Sequence, residues 1–458
     1  MSGKVHLIGI GGIGVSAIAQ YYLENGAEVS GSDLVSSEIT DLLEKKGAKL
    51  SLGSHKSGNL IDGADLVIYS PAVKEDNPEF KKAKESGLKL LSYPEALGEL
   101  TKKYFTIAVS GAHGKSTTTS MIAKIMIEAG LDPTVIVGTK LKEFGGSNFR
   151  PGKSRYLLIE ADEWSASFLN YWPKIIVLTN IEREHLDYYK NLPNILKTFK
   201  EYVGHLPEDG ALVANEDDEN INKIFNFSAR GGSALGGQIP ISNQFSILKF
   251  SKKQREAKDI KKILKVPGEH NVSNALAALS VARLLEVSDR TSFKALSEYK
   301  GVWRRFEVFP AALKGKRITV VSDYGHHPTE IGVTLKAARE KFPEKEIWCV
   351  FQPHQYQRTF YLFDDFVKVF KEAADGKLAD KIIITDVYDV AGREDEKIKK
   401  KVNSEKLVEK IGKPEVAYLP REKIKPCLSK NIKSGEVVII MGAGDIYELT
   451  KELLKQKK

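Results

Sequence analysis

The sequence predicts an α/β protein of several domains, each built on a largely parallel sheet wound with helices. Three observations predict it. Short Val/Ile/Leu-rich runs alternate with amphipathic stretches along the chain, the pattern of strands buried on both faces by crossover helices. Two glycine-rich turns, at residues 9–14 and 110–117, each stand between such a run and a helical stretch. The length, 458 residues, is too great for one core and fits two or three domains.

Composition narrows the class. Hydrophobic content of 42% and charged content of 28% are those of an ordinary soluble globular protein. No apolar run approaches the roughly 20 residues needed to span a bilayer, so no membrane partner is expected. The opening MSGKVHLIGIGG enters a strand-like run after one lysine, which is not a signal peptide. Cys349 and Cys427 lie far apart in no metal-ligand spacing and are expected as thiols in a reducing cytoplasm. The net charge is +9, but the lysines are dispersed or sit on helix-like stretches such as Lys252–Lys265 and Lys397–Lys406. With no zinc-finger spacing and no RNP-type aromatic motif, this charge reads as solvated faces suited to anionic small substrates, and nucleic acid is not expected.

Residues 1 to about 100 form the first block, with strands expected at Val5–Ile10, Glu28–Ser32 and Leu66–Tyr69. Gly9-Ile10-Gly11-Gly12-Ile13-Gly14 satisfies G-x-G-x-x-G between the first strand and the helix-like Val15–Asn25. Such a turn lets a pyrophosphate approach the backbone and meet the N–H groups of the helix N-terminus. Asp33 follows the second strand, where an acidic residue reaches a ribose hydroxyl. The bland alternative is a plain strand–helix turn; strand, helix and acid together favour a nucleotide. NAD and a UDP-sugar both present a pyrophosphate, so the turn alone does not choose between them.

A second block opens with the strand Tyr104–Ser110 and runs to about residue 300. Ser110-Gly111-Ala112-His113-Gly114-Lys115-Ser116-Thr117 leads into the helix-like Thr118–Glu128, which Gly130 ends. In such a loop backbone N–H groups cradle phosphates, Lys115 neutralises their charge, and the Ser116 or Thr117 hydroxyl can hold Mg²⁺. A full Walker A would need glycine where Val109 stands, so the strand–loop–helix context carries the reading. The strand-like Tyr156–Ile159 runs into Glu160-Ala161-Asp162-Glu163, carboxylates at a strand end one strand from the phosphate loop, where ligands for Mg²⁺-ATP belong; a merely charged loop is the alternative. Ile175–Leu178 leads into Thr179–Asp187, where His185 is either a metal ligand or a satisfied polar residue. Gly231-Gly232 and Gly236-Gly237 mark loops and an antiparallel hairpin inside this block. Two phosphate-binding turns on separate domains suggest one nucleotide as energy source and another as a handle on the substrate. A nicotinamide dehydrogenase would leave the phosphate loop unexplained.

The third block begins near Gly301, with strands at Arg317–Ser322, Ile347–Gln352, Lys381–Asp386 and Glu436–Met441. Asp323-Tyr324-Gly325-His326-His327-Pro328 follows its first strand. The paired histidines suit an anion or carboxylate better than zinc, since no third ligand has recognisable spacing.

Taken in order, these motifs resemble the Mur ligase family over essentially the whole chain. GAHGKSTTT at 111–119 is similar to the shared G-T-x-G-K-[ST]-T-T, with Ala112 for the usual Thr. EADEWSASF at 160–168 is similar to E-A-D-E-S-D-x-S-F, with Trp164 and Ala166 as departures, and 179–187 follows T-N-I-E-x-D-H-x-D. PGEHNVSNALAA at 267–278, GVWRRFE at 301–307, DYGHHPTE at 323–330, FQPHQYQRT at 351–359 and GAGD at 442–445 then follow in family order. The N-terminal GIGGIG, the DYGHHPTE and the FQPHQYQRT resemble the alanine-adding branch.

The resemblance implies a three-domain Mur ligase architecture: a Rossmann-like UDP-sugar domain at 1–100, a central P-loop ATPase-like domain at 101–302, and a Rossmann-like C-terminal domain at 303–458 that closes over ATP and takes the amino acid. It implies ATP and Mg²⁺ as cofactors, with UDP-N-acetylmuramate and L-alanine as substrates joined through an acyl phosphate in peptidoglycan precursor synthesis. A recycling ligase that attaches a preformed tripeptide, or a non-catalytic nucleotide-binding homologue, is the alternative. By the same resemblance Gly11, Gly12, Ile13, Gly14, Asp33 and Ser70 hold the UDP moiety. Gly111, His113, Gly114, Lys115, Ser116 and Thr117 surround the ATP phosphates, while His270, Asn271 and Asn274 flank the adenine. Arg305 and Asp323 add ATP contacts, and Ser116, Glu163 and His185 ligate Mg²⁺. His327, His354, Tyr356 and Arg358 orient the alanine, with His327 as the base and Gln355 at a position often basic in the family. Lys115, Glu163, His185, His327 and Arg358 form the implied catalytic set. A monomer or weak homodimer is expected.

Overall fold

The computed structural model describes residues 3–225, 245–390 and 394–455. Three sheets carry the chain. Strands β1 (Lys4–Ile8), β2 (Glu28–Asp33), β3 (Lys49–Leu52), β4 (Leu66–Tyr69) and β5 (Lys89–Ser92) pair in the order β3-β2-β1-β4-β5, all parallel. The order reverses at β1, so the crevice beyond its C-terminal end lies at a topological switch point, the usual ligand position in such sheets.

The second sheet comprises β6 (Phe105–Ser110), β7 (Thr134–Leu141), β8 (Ser147–Arg150), β9 (Tyr156–Glu160), β10 (Ile175–Leu178), β11 (Ala211–Asn215) and β12 (Ser246–Phe250), ordered β12-β11-β10-β6-β9-β7-β8. Among the described residues only its β7–β8 pair is antiparallel. Strand β6 lies between β9 and β10, so the loop after it has the acidic run that follows β9 on one side and the T-N-I-E run that follows β10 on the other. The third sheet comprises β13 (Glu307–Leu313), β14 (Lys316–Asp323), β15 (Ile347–Phe351), β16 (Lys381–Ile384), β17 (Val416–Tyr418) and β18 (Val437–Met441), ordered β13-β14-β18-β15-β16-β17. Its β13–β14 edge is an antiparallel hairpin, and the other pairs are parallel.

The apolar runs become strands because helices cover them on both faces. In β10 all four residues, Ile175 to Leu178, are buried. In the third sheet Val320, Val350, Val438 and Ile440 pack with Ile424, Leu428 and Leu449 from helices. Each such side chain contributes about 1.5–3 kcal/mol relative to leaving it in water.

By compactness the chain forms two units. The first is Met1–Glu182, Leu192–Ile260 and Ser273–Ser297, and holds the first two sheets; the second is Arg183–Asn191, Lys261–Val272 and Glu298–Lys458. Within the first unit the helix Ile13–Glu24 meets β8 through buried amides, Gln20 Nε2 donating to Asn148 Oδ1 at 3.0 Å and Ser147 Oγ to Gln20 Oε1 at 3.0 Å.

Element ends differ from the sequence reading for local reasons. Strand β1 stops at Ile8, two residues before the expected end, because Gly9 turns the chain at φ +78°. The helix after the phosphate loop starts at Lys115 (Lys115–Glu128) and not at Thr118, because Gly114 caps it in a left-handed conformation. The Gly231-Gly232 and Gly236-Gly237 pairs lie outside the described residues. The antiparallel pair described in this block is β7–β8, which the sequence reading did not place.

Candidate active site

In the first unit the glycine turn is held from below. Gly9 and Ile10 both donate their N–H to the Ser32 carbonyl, at 2.9 and 3.0 Å, and Gly12 donates to the Gly9 carbonyl at 3.1 Å. Gly12 is the N-cap of the helix Ile13–Glu24 and supplies no side-chain cap, which leaves the first-turn amides pointing at a potential anion. Asp33 stands at the end of β2, yet its carboxylate is engaged with backbone: Oδ2 accepts from Gly11 N at 2.8 Å and Oδ1 from Leu34 N at 2.7 Å. It therefore braces the turn in this structure, and a ribose hydroxyl would have to share those oxygens. Ser70 follows β4, donating its N–H to the Ile8 carbonyl at 2.9 Å and accepting from Ala72 N on Oγ at 3.3 Å.

The phosphate loop is clamped by the strand beside it. A side chain at Gly111, whose φ is +133°, would collide with Thr179 Oγ1. His113 N donates to Asn180 Oδ1 at 2.9 Å, while the His113 carbonyl accepts from Thr179 Oγ1 at 2.7 Å and from Asn180 Nδ2 at 2.9 Å. The His113 ring lies 3.6 Å from the Glu182 carboxylate. Asn274, expected beside an adenine, packs on the loop itself, its Oδ1 only 2.5 Å from where a Cβ at Gly114 would stand.

Lys115 Nζ donates to the Gly111 carbonyl at 2.7 Å and to Glu163 Oε2 at 2.8 Å, with Asp162 Oδ1 at 3.9 Å. Burial by itself would lower its pKa; the Glu163, Asp162 and Glu160 carboxylates outweigh burial and raise it. Ser116 Oγ donates to Glu160 Oε1 at 3.0 Å, and Glu160 Oε2 accepts from Gly138 N at 2.8 Å. Burial pushes the Glu160 carboxyl above its ordinary value, against the pull of Lys115. Thr117 is buried at the start of the helix. The Ser116 hydroxyl and the carboxylates of Glu160, Asp162 and Glu163 are hard oxygen donors, the set that suits Mg²⁺. Glu160 was missed as a partner of Ser116, although it opens the same acidic run.

The second unit holds a separate polar cluster. Asp323 ends β14, with Oδ2 accepting from Phe306 N at 2.8 Å and Oδ1 from Gly325 N at 2.7 Å. Burial lifts its carboxyl to about 6, although Arg305 pulls the other way. Arg305 Nη1 donates to Glu330 Oε1 at 2.8 Å. His327 caps the helix Pro328–Lys341: Nδ1 accepts from Thr329 N at 3.3 Å, which puts the proton of the neutral ring on Nε2, 3.4 Å from the Arg183 carbonyl. Its backbone N–H and that of His326 donate to Glu330 Oε2. His326 sits deep enough that burial, with Arg358 nearby, drops its imidazole to about 3.

Arg358 is the hub of this cluster. Its Nε and Nη2 both donate to Glu184 Oε1, at 2.9 and 2.8 Å, while Nη1 reaches the His354 carbonyl and Nδ1 at 3.1 Å. Glu184 is only 6% exposed, and burial opposes its charge. Arg358, with His185 and His327, overcomes that and holds it well below the usual carboxylate range. The His354 ring stacks on Tyr388 at 5.5 Å. Gln355, at φ +71°, starts the helix Tyr356–Tyr361 and donates its N–H to the Tyr388 carbonyl at 3.0 Å, and Tyr356 N donates to Glu394 Oε1 at 3.2 Å. His185 turns the chain at φ +53° and donates its N–H to Glu184 Oε1 at 3.2 Å. Glu184, His185, Gln355, Arg358 and Tyr361 line one cavity. Sequence reasoning missed Glu184; the signal was its place beside His185 in the T-N-I-E run. In the same unit His270 folds over Gly268, whose Cβ would lie 2.5 Å from ring Cε1, and Asn271 Nδ2 donates to the Pro267 carbonyl at 2.6 Å.

The structure thus brings Lys115 to Glu163 and Ser116 to Glu160 in the first unit, and Arg358 to His354 and Glu184 in the second. His185, the third expected metal ligand, belongs to the second unit.

Comparison with known proteins divides the chain much as the three sheets do. Residues 4–105 match the Mur ligase family catalytic domain model, residues 109–282 the Mur ligase middle domain, and residues 304–444 the Mur ligase glutamate ligase domain. A UDP-N-acetylmuramate–L-alanine ligase of Acetivibrio thermocellus is 44% identical, the alignment covering 99% of this chain and 96% of that protein. The crystal structure of a UDP-N-acetylmuramate-alanine ligase from Thermotoga maritima superposes with a TM-score of 0.77 at 27% identity, over 99% of this chain and 98% of that one. A murein peptide ligase from Psychrobacter arcticus shares the fold, with a TM-score of 0.70 at 23% identity over 99% and 98% of the two chains.

Proposed function

The chain belongs to the Mur ligase family, and on that footing we propose that it is the ATP-dependent ligase that joins L-alanine to the lactyl carboxylate of UDP-N-acetylmuramate in peptidoglycan precursor synthesis. The observation that carries the reading is the pair of phosphate-binding turns in one unit. A glycine turn stands at a helix N-terminus, and a lysine-bearing loop stands beside a carboxylate set. The near full-length identity to an alanine-adding relative supports the choice of substrates.

A carboxylate is a poor acyl donor, so it is activated first. The lactyl carboxylate attacks the γ-phosphoryl group of ATP, forming an acyl phosphate and releasing ADP. The amine of L-alanine then attacks the acyl carbon, loses a proton, and phosphate departs as the amide forms. Both partners of the first step are anions, and their repulsion is the central obstacle. Lys115 meets it with a charge that its carboxylate neighbours keep fixed. The arriving phosphates take over that ammonium from Glu163. Ser116, Glu160, Asp162 and Glu163 would hold Mg²⁺, which would supply positive charge against the phosphate charge of ATP.

Arg358 and His354 would receive the carboxylate of alanine, in exchange with Glu184. His327 would accept the amine proton on Nδ1, the unprotonated nitrogen of its ring, releasing the Thr329 N–H as it does so. The division at residues 1–100, 101–302 and 303–458 assigns the sugar nucleotide, ATP and the amino acid to successive domains. No described helix is long and apolar enough to cross a membrane. A cytoplasmic monomer or weak homodimer fits these substrates.

The test is phosphate release from ATP and Mg²⁺ with UDP-N-acetylmuramate, adding L-alanine, glycine, L-serine or the tripeptide in turn. Release that needs both the sugar nucleotide and L-alanine is expected. Release only with the tripeptide would transfer the chain to peptide recycling, and no release with any acceptor would remove the ligase reading.

A further inference from the structure

One helix that no sequence motif includes packs between the helix of the glycine turn and the segment that follows the acidic run. The helix Tyr93–Thr101 is capped by a reciprocal Ser92–Glu95 pair, which fixes its first residue, Tyr93. It packs on the helix Ile13–Glu24 and on the segment Trp164–Asn170 that follows the acidic run after β9. The packing is tight. A side chain at Gly98 would collide with the Asn170 carbonyl, and Trp172 N donates to Thr101 Oγ1 at 3.0 Å.

Tyr93 is thereby driven against the glycine turn. An ideal Cβ at Gly14 would stand 2.6 Å from Tyr93 Cζ, 2.8 Å from Cε1 and 3.0 Å from Cε2. The atom nearest Gly14 is therefore the ring carbon that bears the hydroxyl. This accounts for glycine at the third position of G-x-G-x-x-G here: it makes room for a phenol at the helix N-terminus. The ring is partly exposed, and its hydroxyl has no hydrogen-bond partner among the described residues. Burial, and then the Glu160 and Asp162 charges, push the phenol above its ordinary value, so it stays a proton donor at neutral pH. A neutral donor suits the space between those carboxylates and an anion at the glycine turn, because a lysine there would pair with the carboxylates as Lys115 does.

We propose that the Tyr93 hydroxyl is a ligand for the substrate's diphosphate, donating a hydrogen bond to it alongside the first-turn amides of the helix Ile13–Glu24. This rests on the reading of that turn as the sugar-nucleotide site. Tyr93 then also ties the handle of the substrate to the segment that follows the acidic run, since its helix packs on both the helix Ile13–Glu24 and Trp164–Asn170.

The test is calorimetric binding of UDP, uridine and ATP to the wild-type chain and to Tyr93→Phe, which keeps the ring that packs on Gly14. A neutral donor to a charged oxygen predicts about a 10-fold loss of UDP affinity. Uridine and ATP should bind the variant as they bind the wild type. Unchanged UDP binding would overturn the proposal, and so would an equal loss for UDP and ATP, because that pattern reports general damage and not a contact. UDP binding by the wild type without alanine-dependent turnover would remove the ligase reading alone. Absence of UDP binding by the wild type would remove both.

Discussion

Removing Glu184 should be among the most damaging single changes to the second unit. Its side chain is 7% exposed and its carboxylate takes two donors from Arg358, whose side chain is 8% exposed. Glu184→Ala strands a guanidinium away from water, and breaking a buried pair in this way costs about 3–5 kcal/mol. Arg358→Ala strands the carboxylate at similar cost. The double variant strands neither, so its loss should fall short of the sum by about 1–3 kcal/mol. Urea denaturation of the four proteins, followed through the fluorescence of Trp303 and Trp348, measures this coupling in the unit that contains the pair. The pH dependence has a fixed sign. The folded pKa of Glu184 lies well below its ordinary value, so its contribution is complete above about pH 4.5 and is lost as pH falls through the lower folded value. Glu184→Gln should therefore trail the wild type at neutral pH and converge with it in acid. Additive single-site costs, or a deficit that does not shrink in acid, would refute the reasoning.

Other expectations follow from the same geometry. Lys115→Met should lower kcat by about 100- to 1000-fold, as for loss of a charge that meets the developing anion, while UDP affinity by calorimetry stays level. Ser116→Ala removes a hard donor and frees Glu160 Oε1, so the Mg²⁺ concentration for half-maximal rate should rise while the Km for L-alanine holds. Gly14→Ala should destabilise the first unit by about 1–3 kcal/mol through overpacking on Tyr93, read as a lower urea midpoint, and Tyr93→Ala should recover part of the loss. Asp323 titrates at about 6 when folded, above its ordinary 3.8, so its contribution to stability is complete below 3.8 and is lost as pH rises through 6, an effect of roughly 3 kcal/mol. Melting curves of the wild type and Asp323→Asn across that range should show the difference.

What the sequence revealed and what it hid divide along physical lines. Gly9–Gly14 and Gly111–Lys115 are local: a turn needs its glycines within a few residues of the strand and helix it joins, so the pattern is written contiguously. The ordered motifs carried the family and the three-sheet architecture for the same reason. Contacts across the fold were not legible. The partners Glu184 and Arg358 are 174 residues apart, Tyr93 meets Gly14 only once the helix Tyr93–Thr101 has docked, and Asn274 reaches Gly114 from a distant helix. Asp33 is the instructive case. Its position was foreseen, but its binding to Gly11 N was not, because a motif gives a residue's place without its competitors. Short strands such as β3 and β17, with three or four residues and exposed positions, also lacked an apolar run long enough to announce them.

The central claim is that the lactyl carboxylate is phosphorylated before the amine attacks, and oxygen tracing tests it most directly. UDP-N-acetylmuramate labelled with ¹⁸O in that carboxylate would be turned over with ATP and L-alanine, and the released phosphate analysed by mass. An acyl phosphate passes one carboxylate oxygen to phosphate, so the account predicts phosphate carrying a single ¹⁸O. Unlabelled phosphate formed together with the amide product would contradict it.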